Sequence, residues 1–117
     1  MEDHRIRERL PLNGSGSGKV TRNGQFFYFH IVDFTTEGLL LKIDGEIPPV
    51  GEKVEIAFEV DGETDSPTEI TLNGEIRHRE TKEGETLCGV RIVGSNSRRD
   101  MDLFDEIYLE RFFEASV

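Results

Sequence analysis

At 117 residues, with 35% hydrophobic and 32% charged side chains, the chain suits one soluble domain built around one core. Its single cysteine, Cys88, excludes an internal disulfide and fits a reducing compartment, and no apolar run approaches the roughly 18 residues needed to span a bilayer. A net charge of -10 disfavours DNA, RNA and anionic membranes as partners, because attraction to phosphate is the main source of non-specific affinity for them.

From the N-terminus, Met1 to Leu10 alternates charges and has no apolar h-region, so no secretory signal is expected and the cytoplasm is the expected location. Residues 1–32 hold Arg5, Arg7, Arg9, Lys19 and Arg22 against Glu2, Asp3 and Glu8, a net of +2 that leaves -12 for the rest. A basic patch on an acidic chain suits a small anion held at one place; a solvated charged tail has the same composition. A first strand is predicted from about Leu10 to Lys19 and Val20. It crosses Gly14-Ser15-Gly16-Ser17-Gly18, which reads either as a flexible linker or as a native loop or twisted strand. The native reading is preferred, because the flanking residues form one pattern across it.

Further along, Phe26 to Val32 is aromatic and β-branched, as strands favour. A short break at Thr35, Thr36, Glu37 and Gly38 precedes a strand over Leu39–Ile43. Pro48-Pro49-Val50-Gly51 then stops the chain before Val54, Ile56, Phe58 and Val60, whose period of two places them on one buried face. Asp61-Gly62 and Asp65-Ser66-Pro67 form a polar loop. Ile70, Leu72 and Ile76 point inward on the next strand, Lys82-Glu83-Gly84-Glu85 turns the chain, and Leu87–Val93 is a last strand. Strands about ten residues apart with such turns predict an antiparallel barrel or sandwich.

The C-terminus changes period. Ser97 is positioned to cap a helix over residues 97–115, with Asp100 completing a capping box. Leu103, Phe104, Ile107, Tyr108 and Phe112 form an apolar stripe opposite Asp102, Asp105, Glu106 and Glu110. The stripe is expected to pack on the barrel or cover an open end.

Two short patterns carry the functional reading. Arg5-Ile6-Arg7-Glu8-Arg9 is an R-x-x-x-R, and Asp33-Phe34-Thr35-Thr36-Glu37-Gly38 is a D-x-T-x-x-G between two strands. In this order and spacing, within this strand pattern, they resemble the PilZ domain family, whose signature is R-x-x-x-R followed by [DN]-x-S-x-x-G. Gly38-Leu39-Leu40-Leu41 resembles the family's hydrophobic strand, and Leu87–Ile92 with the helix after it resembles the closing strand and helix. The resemblance implies a mostly β fold, a six-stranded antiparallel β-barrel with a C-terminal α-helix. It also implies binding of the bacterial second messenger cyclic di-GMP through Arg5, Arg9, Asp33, Thr35 and Gly38. Thr35 departs from the family's usual Ser: the hydroxyl is kept and a methyl is added. His4 stands where the family is often basic, and Arg7 reads as solvated.

The chemistry of those residue types is consistent with the implied ligand. Arginine presents a planar fork of donors that grips a phosphate, or guanine O6 and N7, in bidentate fashion. Asp33 can accept from guanine N–H groups, the Thr35 hydroxyl can donate or accept, and Gly38 permits a backbone approach that a side chain would block. The competing reading of the second motif is an ordinary turn in which Asp33 hydrogen-bonds its own backbone.

Catalytic patterns are weak. His4, His30 and His78 are scattered, and one cysteine builds no zinc ribbon. On a regular strand His30 and Asp33 would face opposite sides. Cys88, before Gly89, reads as a small core residue. No phosphate loop and no nucleophile elbow is present, so neither catalysis nor a metal or other cofactor is expected.

The expectation is therefore a single PilZ-like domain over residues 1–117. Its arm, residues 1–10, would be poorly ordered without ligand and fold down when cyclic di-GMP bridges arm and barrel. The new surface would meet a separate effector protein of motility, secretion or biofilm machinery. The alternative is a ligand-independent adaptor. A third reading, a nucleic-acid-binding barrel, is disfavoured by the charge.

Overall fold

Period-two alternation decides which side of each strand turns inward, and six such strands close on themselves. The computed structural model describes residues 9–60 and 68–115. Its strands are β1 (Leu10–Val20), β2 (Phe26–Phe34), β3 (Gly38–Asp44), β4 (Lys53–Val60), β5 (Thr68–Lys82) and β6 (Glu85–Gly94), followed by helix α1 (Arg98–Ala115). They form a closed barrel in the order β1-β2-β3-β6-β5-β4, with every neighbouring pair antiparallel. This is the expected six-stranded architecture. The polar loop expected at Asp61-Gly62 and Asp65-Ser66-Pro67, and the arm up to Glu8, lie outside the described residues.

The core comes from the inward positions. Val54, Ile56, Phe58 and Val60 of β4 are all buried, as are Ile70, Leu72 and Ile76 of β5 and Leu39, Leu41 and Ile43 of β3. The glycine–serine run is part of β1, with Ser15 outward and the glycines inward. The inward glycines are required by packing. A Cβ on Gly18 would lie 2.1 Å from the Phe27 ring, and one on Gly16 would lie 2.0 Å from the Ala57 carbonyl oxygen. Small residues here let large aromatics fill a narrow barrel.

Helix α1 covers one end of the barrel. Phe104 and Tyr108 are fully buried and meet Phe34 edge-on at centroid distances of 5.7 and 5.4 Å, while Phe58 lies 6.3 Å from Phe104. Tilted ring pairs of this kind add about 0.5–1.5 kcal/mol each beyond burial. Leu103, Ile107 and Phe112 are half-buried against the same cluster, and the acidic face points to solvent.

The start of α1 differs from the expected capping box. Ser97 Oγ does accept from the Asp100 N–H at 3.3 Å. The Asp100 carboxylate does not reach back to Ser97; it accepts from the Thr71 N–H of β5 at 2.9 Å, and the Ser97 N–H donates to Ser95 Oγ at 3.0 Å. Ser95 Oγ in turn donates to the Thr71 carbonyl at 2.6 Å. The helix is thereby stitched to β5, which a local motif on its own could not achieve.

Candidate functional site

Two strand irregularities shape the outer wall of the barrel. In β2, inward Phe27, Phe29 and Ile31 would make residue 33 inward as well. Instead the register shifts between Ile31 and Asp33, Val32 is the extra residue, and Phe34 becomes the next buried position. Asp33 is thus turned outward, its side chain 24% exposed. The expectation that His30 and Asp33 face opposite sides held only for a regular strand; with the bulge both face out. They border different depressions, His30 beside Ser15 and Tyr28, and Asp33 beside Thr35 and Leu40.

The second irregularity lies in β5, where the register shifts between Ile76 and His78 and Arg77 is the extra residue. Ile70, Leu72, Gly74 and Ile76 are inward, so regular alternation would bury His78; the bulge exposes it. Such bulges insert one residue and re-aim the side chains that follow. The pairings Asp33↔Leu40, Leu40↔Gly89 and Gly89↔His78 then form one lateral row across β2, β3, β6 and β5. Gly89 leaves a gap in that row, since a Cβ there would lie 3.2 Å from the Cβ of His78.

Over this gap lies a cleft of about 340 Å³. It gathers Arg9, Asp33, Thr35 and Gly38, four of the five residues singled out in the sequence, while Arg5 lies outside the described residues. Arg9 Nη1 donates to Asp33 Oδ1 at 3.4 Å. The Thr35 N–H donates to the Gly38 carbonyl at 2.9 Å, and Thr35 Oγ1 accepts from the Glu37 N–H at 3.0 Å. The D-x-T-x-x-G segment is therefore a closed turn, with Thr35 in the self-bonding role that the turn reading gave to Asp33. The Ile92 N–H donates to the Glu37 carbonyl at 2.7 Å and ties this turn to β6. Gly38 is needed for strand approach: its Cβ would lie 2.8 Å from the Val90 carbonyl oxygen.

The cleft also contains residues not singled out from the sequence: Arg77, His78 and Glu80 of β5, Arg91 of β6, and Glu37 of the turn. The basic triplet Arg77-His78-Arg79 was the available signal, but period-two reading assigns His78 the wrong side. Three arginines, Arg9, Arg77 and Arg91, stand among three carboxylates, Asp33, Glu37 and Glu80. The fork-shaped donors can bind phosphate or a guanine edge, and the carboxylates can accept from guanine N–H groups.

Beneath Gly89, Cys88 is fully buried. Burial pushes its thiol up to about 11, with nearby Arg79 acting in the opposite direction. It is a core residue and a poor nucleophile near neutral pH. Among the described residues, no group of three or more His, Cys, Asp or Glu is placed to hold a metal ion, and no helix is long and apolar enough to cross a membrane.

A closed six-stranded antiparallel barrel with a covering helix and an arginine-bearing cleft on its wall defines a class of small β-barrel domain. The chain belongs to the PilZ family, whose model, PilZ domain, matches residues 2–110. No curated protein matches the chain by sequence. Among solved structures, Inhibitor of motility (MotI/DgrA) from Bacillus subtilis superposes with a TM-score of 0.75 at 10% identity. The match covers 91% of this chain and 50% of that one, so this chain spans about half its length. The PilZ domain of YcgR from Escherichia coli, solved with c-di-GMP, superposes with a TM-score of 0.66 at 11% identity, covering 92% of this chain and 91% of that one. At these identities the likeness is one of fold.

Proposed function

We propose that the chain is a non-catalytic receptor that binds cyclic di-GMP in the cleft over Gly89. The observation that carries this reading is the convergence of Arg9, Asp33, Thr35 and Gly38, distant in part along the chain, on one cleft that also holds Arg77 and Arg91. The E. coli YcgR PilZ domain, with the same fold, was solved with that dinucleotide. A ligand with two phosphates and two guanines matches a wall of arginine forks and carboxylate acceptors.

The N-terminal segment has a part in this reading through its arginine fork, not through net charge. The three arginines of the cleft are matched by three carboxylates, so these walls alone offer a dianion little net attraction. Residues 1–8 hold Arg5 and Arg7 against Glu2, Asp3 and Glu8, so folding over the bound ligand they would bring the donor fork of Arg5 and no net positive charge. In this mechanism Arg9 leaves Asp33 for the ligand, Arg5 joins it, and the covered face is read by a separate effector protein in the cytoplasm. Isothermal titration calorimetry of the full chain with cyclic di-GMP tests the reading. Saturable one-site or two-site binding is expected, and an absence of heat at ligand concentrations up to the millimolar range would overturn it.

A second reading, a ligand-independent adaptor, is favoured by one pair of observations. The Asp33 carboxylate is already paired with Arg9, and the Thr35 hydroxyl already accepts from the turn. Both motif groups can thus serve the fold without a ligand. The same titration separates the two readings.

A further inference from the structure

Away from the cleft, the outer face of β2 presents Phe26 and Tyr28, each 65% exposed, followed by the exposed His30. Isolated exposed aromatics are common, but these two lie on one face of one strand. Lys19 of β1 stands across from Phe26, but beside Tyr28 and His30 the outward residues of β1 are the small Ser17 and Ser15. Ser17 stands across from Tyr28, and on the other side across from Ala57 of β4. One step along, Ser15 pairs with Glu59, which pairs with Glu69 of β5. Small side chains therefore floor a groove of about 500 Å³, with an aromatic wall along β2 and a carboxylate wall along β4 and β5. Asp44, across from Tyr28 on β3, adds a third carboxylate.

Among the described residues the groove is lined by no lysine or arginine, and His30 is its one basic side chain against three carboxylates. The side-chain carboxylates of Asp44, Glu59 and Glu69 make no ion pair or hydrogen bond with any described residue. Elsewhere on the barrel, the half-buried Glu52 and the exposed Glu85 are paired with Arg22 and Lys42. Because the barrel is closed, a partner has no free strand edge to extend and must be recognised through side chains on a face. An exposed tyrosine beside unpaired carboxylates is complementary to a guanidinium, which stacks on the ring and donates to the acids. A second copy of this chain is a poor occupant, since two such faces would oppose like charges on chains of net charge -10.

We infer that the groove along β1 is a docking surface for an extended, arginine-bearing segment of another protein, with Tyr28, Glu59 and Glu69 as its recognition residues. The inference is independent of the ligand reading, because the groove shares no residue with the cleft.

The test is a titration of the ¹⁵N-labelled full chain with a capped pentapeptide alternating arginine and threonine, beside the same peptide with glutamate for arginine. Amide shifts are expected to cluster at Ser15, Ser17, Tyr28, Ala57 and Glu59 with the arginine peptide only. Tyr28→Ser should weaken that binding by about two- to fivefold, the scale of an exposed cation–π contact. The double variant Glu59→Gln with Glu69→Gln should weaken it as well, with the barrel spectrum otherwise unchanged in both. Shifts spread evenly over the acidic surface, or equal affinity in wild type and both variants, would overturn the inference. So would a dimer in sedimentation equilibrium that Tyr28→Ser dissociates, which would assign the face to a second copy.

Discussion

Asp33 and His78 stand at the two ends of a single lateral row, Asp33–Leu40–Gly89–His78, and each faces outward only because its strand carries a bulge one residue earlier. Were Val32 and Arg77 paired as ordinary strand residues, alternation would turn a carboxylate and an imidazole into an interior filled by Phe29, Phe34, Ile70 and Ile76. Burying such groups unpaired costs several kcal/mol, so the bulges settle the orientation of both residues and place them on the wall of one cleft.

The Arg9–Asp33 pair is exposed, with the arginine side chain 66% accessible, so its removal should hardly alter stability. Loss of a hydrogen bond to a charged ligand typically costs about 1.5–3 kcal/mol. Arg9→Ala is therefore expected to leave the melting temperature within about a degree or two and to weaken cyclic di-GMP binding about ten- to hundredfold. Calorimetry and thermal denaturation on the same sample check both halves, and undiminished affinity would remove Arg9 from the site.

His78 offers a flat ring beside the gap at Gly89, where a guanine can stack. Stacking of a base on an aromatic side chain is worth about 1–3 kcal/mol by alanine substitution. His78→Ala should weaken the dinucleotide at least about fivefold, while His78→Phe, which keeps a ring, should restore most of the affinity. If Phe is as weak as Ala, the ring's role is polar and the stacking assignment is wrong.

Gly38 is predicted to be a stability residue first. A methyl there meets the Val90 carbonyl oxygen at 2.8 Å, so β3 and β6 must separate. Overpacking of this kind costs about 1–3 kcal/mol, and Gly38→Ala should lower the urea midpoint correspondingly. A variant with wild-type stability and no ligand affinity would instead mark Gly38 as a direct ligand contact.

Cys88 gives a pH signature. Its thiol is held at about 11 in the fold against an ordinary value of 9.0, chiefly by burial. Above pH 9 the unfolded chain releases this proton before the folded chain does, so stability should fall between about pH 9 and 11, by about 2–3 kcal/mol at most. Cys88→Ala should flatten that part of the pH profile measured by urea denaturation. In the native wild type at pH 8, the thiol should also resist alkylation by iodoacetamide until the chain is unfolded.

Much of the fold was legible in the residues. Val54, Ile56, Phe58 and Val60 announced β4 through strict alternation, and Phe104 and Tyr108 announced the inner face of α1 through helical spacing. Asp100 departs from its local pattern in one respect, because its carboxylate reaches the Thr71 N–H of β5 and not back to Ser97. Arg9, Asp33, Thr35 and Gly38 were legible as motif members, whereas Arg77, His78 and Arg91 were not. A bulge is one inserted residue, and alternation read forward from Ile70 or Phe27 carries the wrong phase past it.

The sequence alone determined the periodic features: six strands, a covering helix, an acidic surface with a basic start, and the two motifs. These depend on local spacing, which is written along the chain. Only the tertiary structure decided which outward residues share a cleft, that glycines of β1 make room for the Phe27 ring and the Ala57 backbone, and that Tyr28 borders a groove with Glu59 and Glu69. Those relations depend on register and closure of the barrel, which are set by long-range pairing between strands and cannot be read from any one of them.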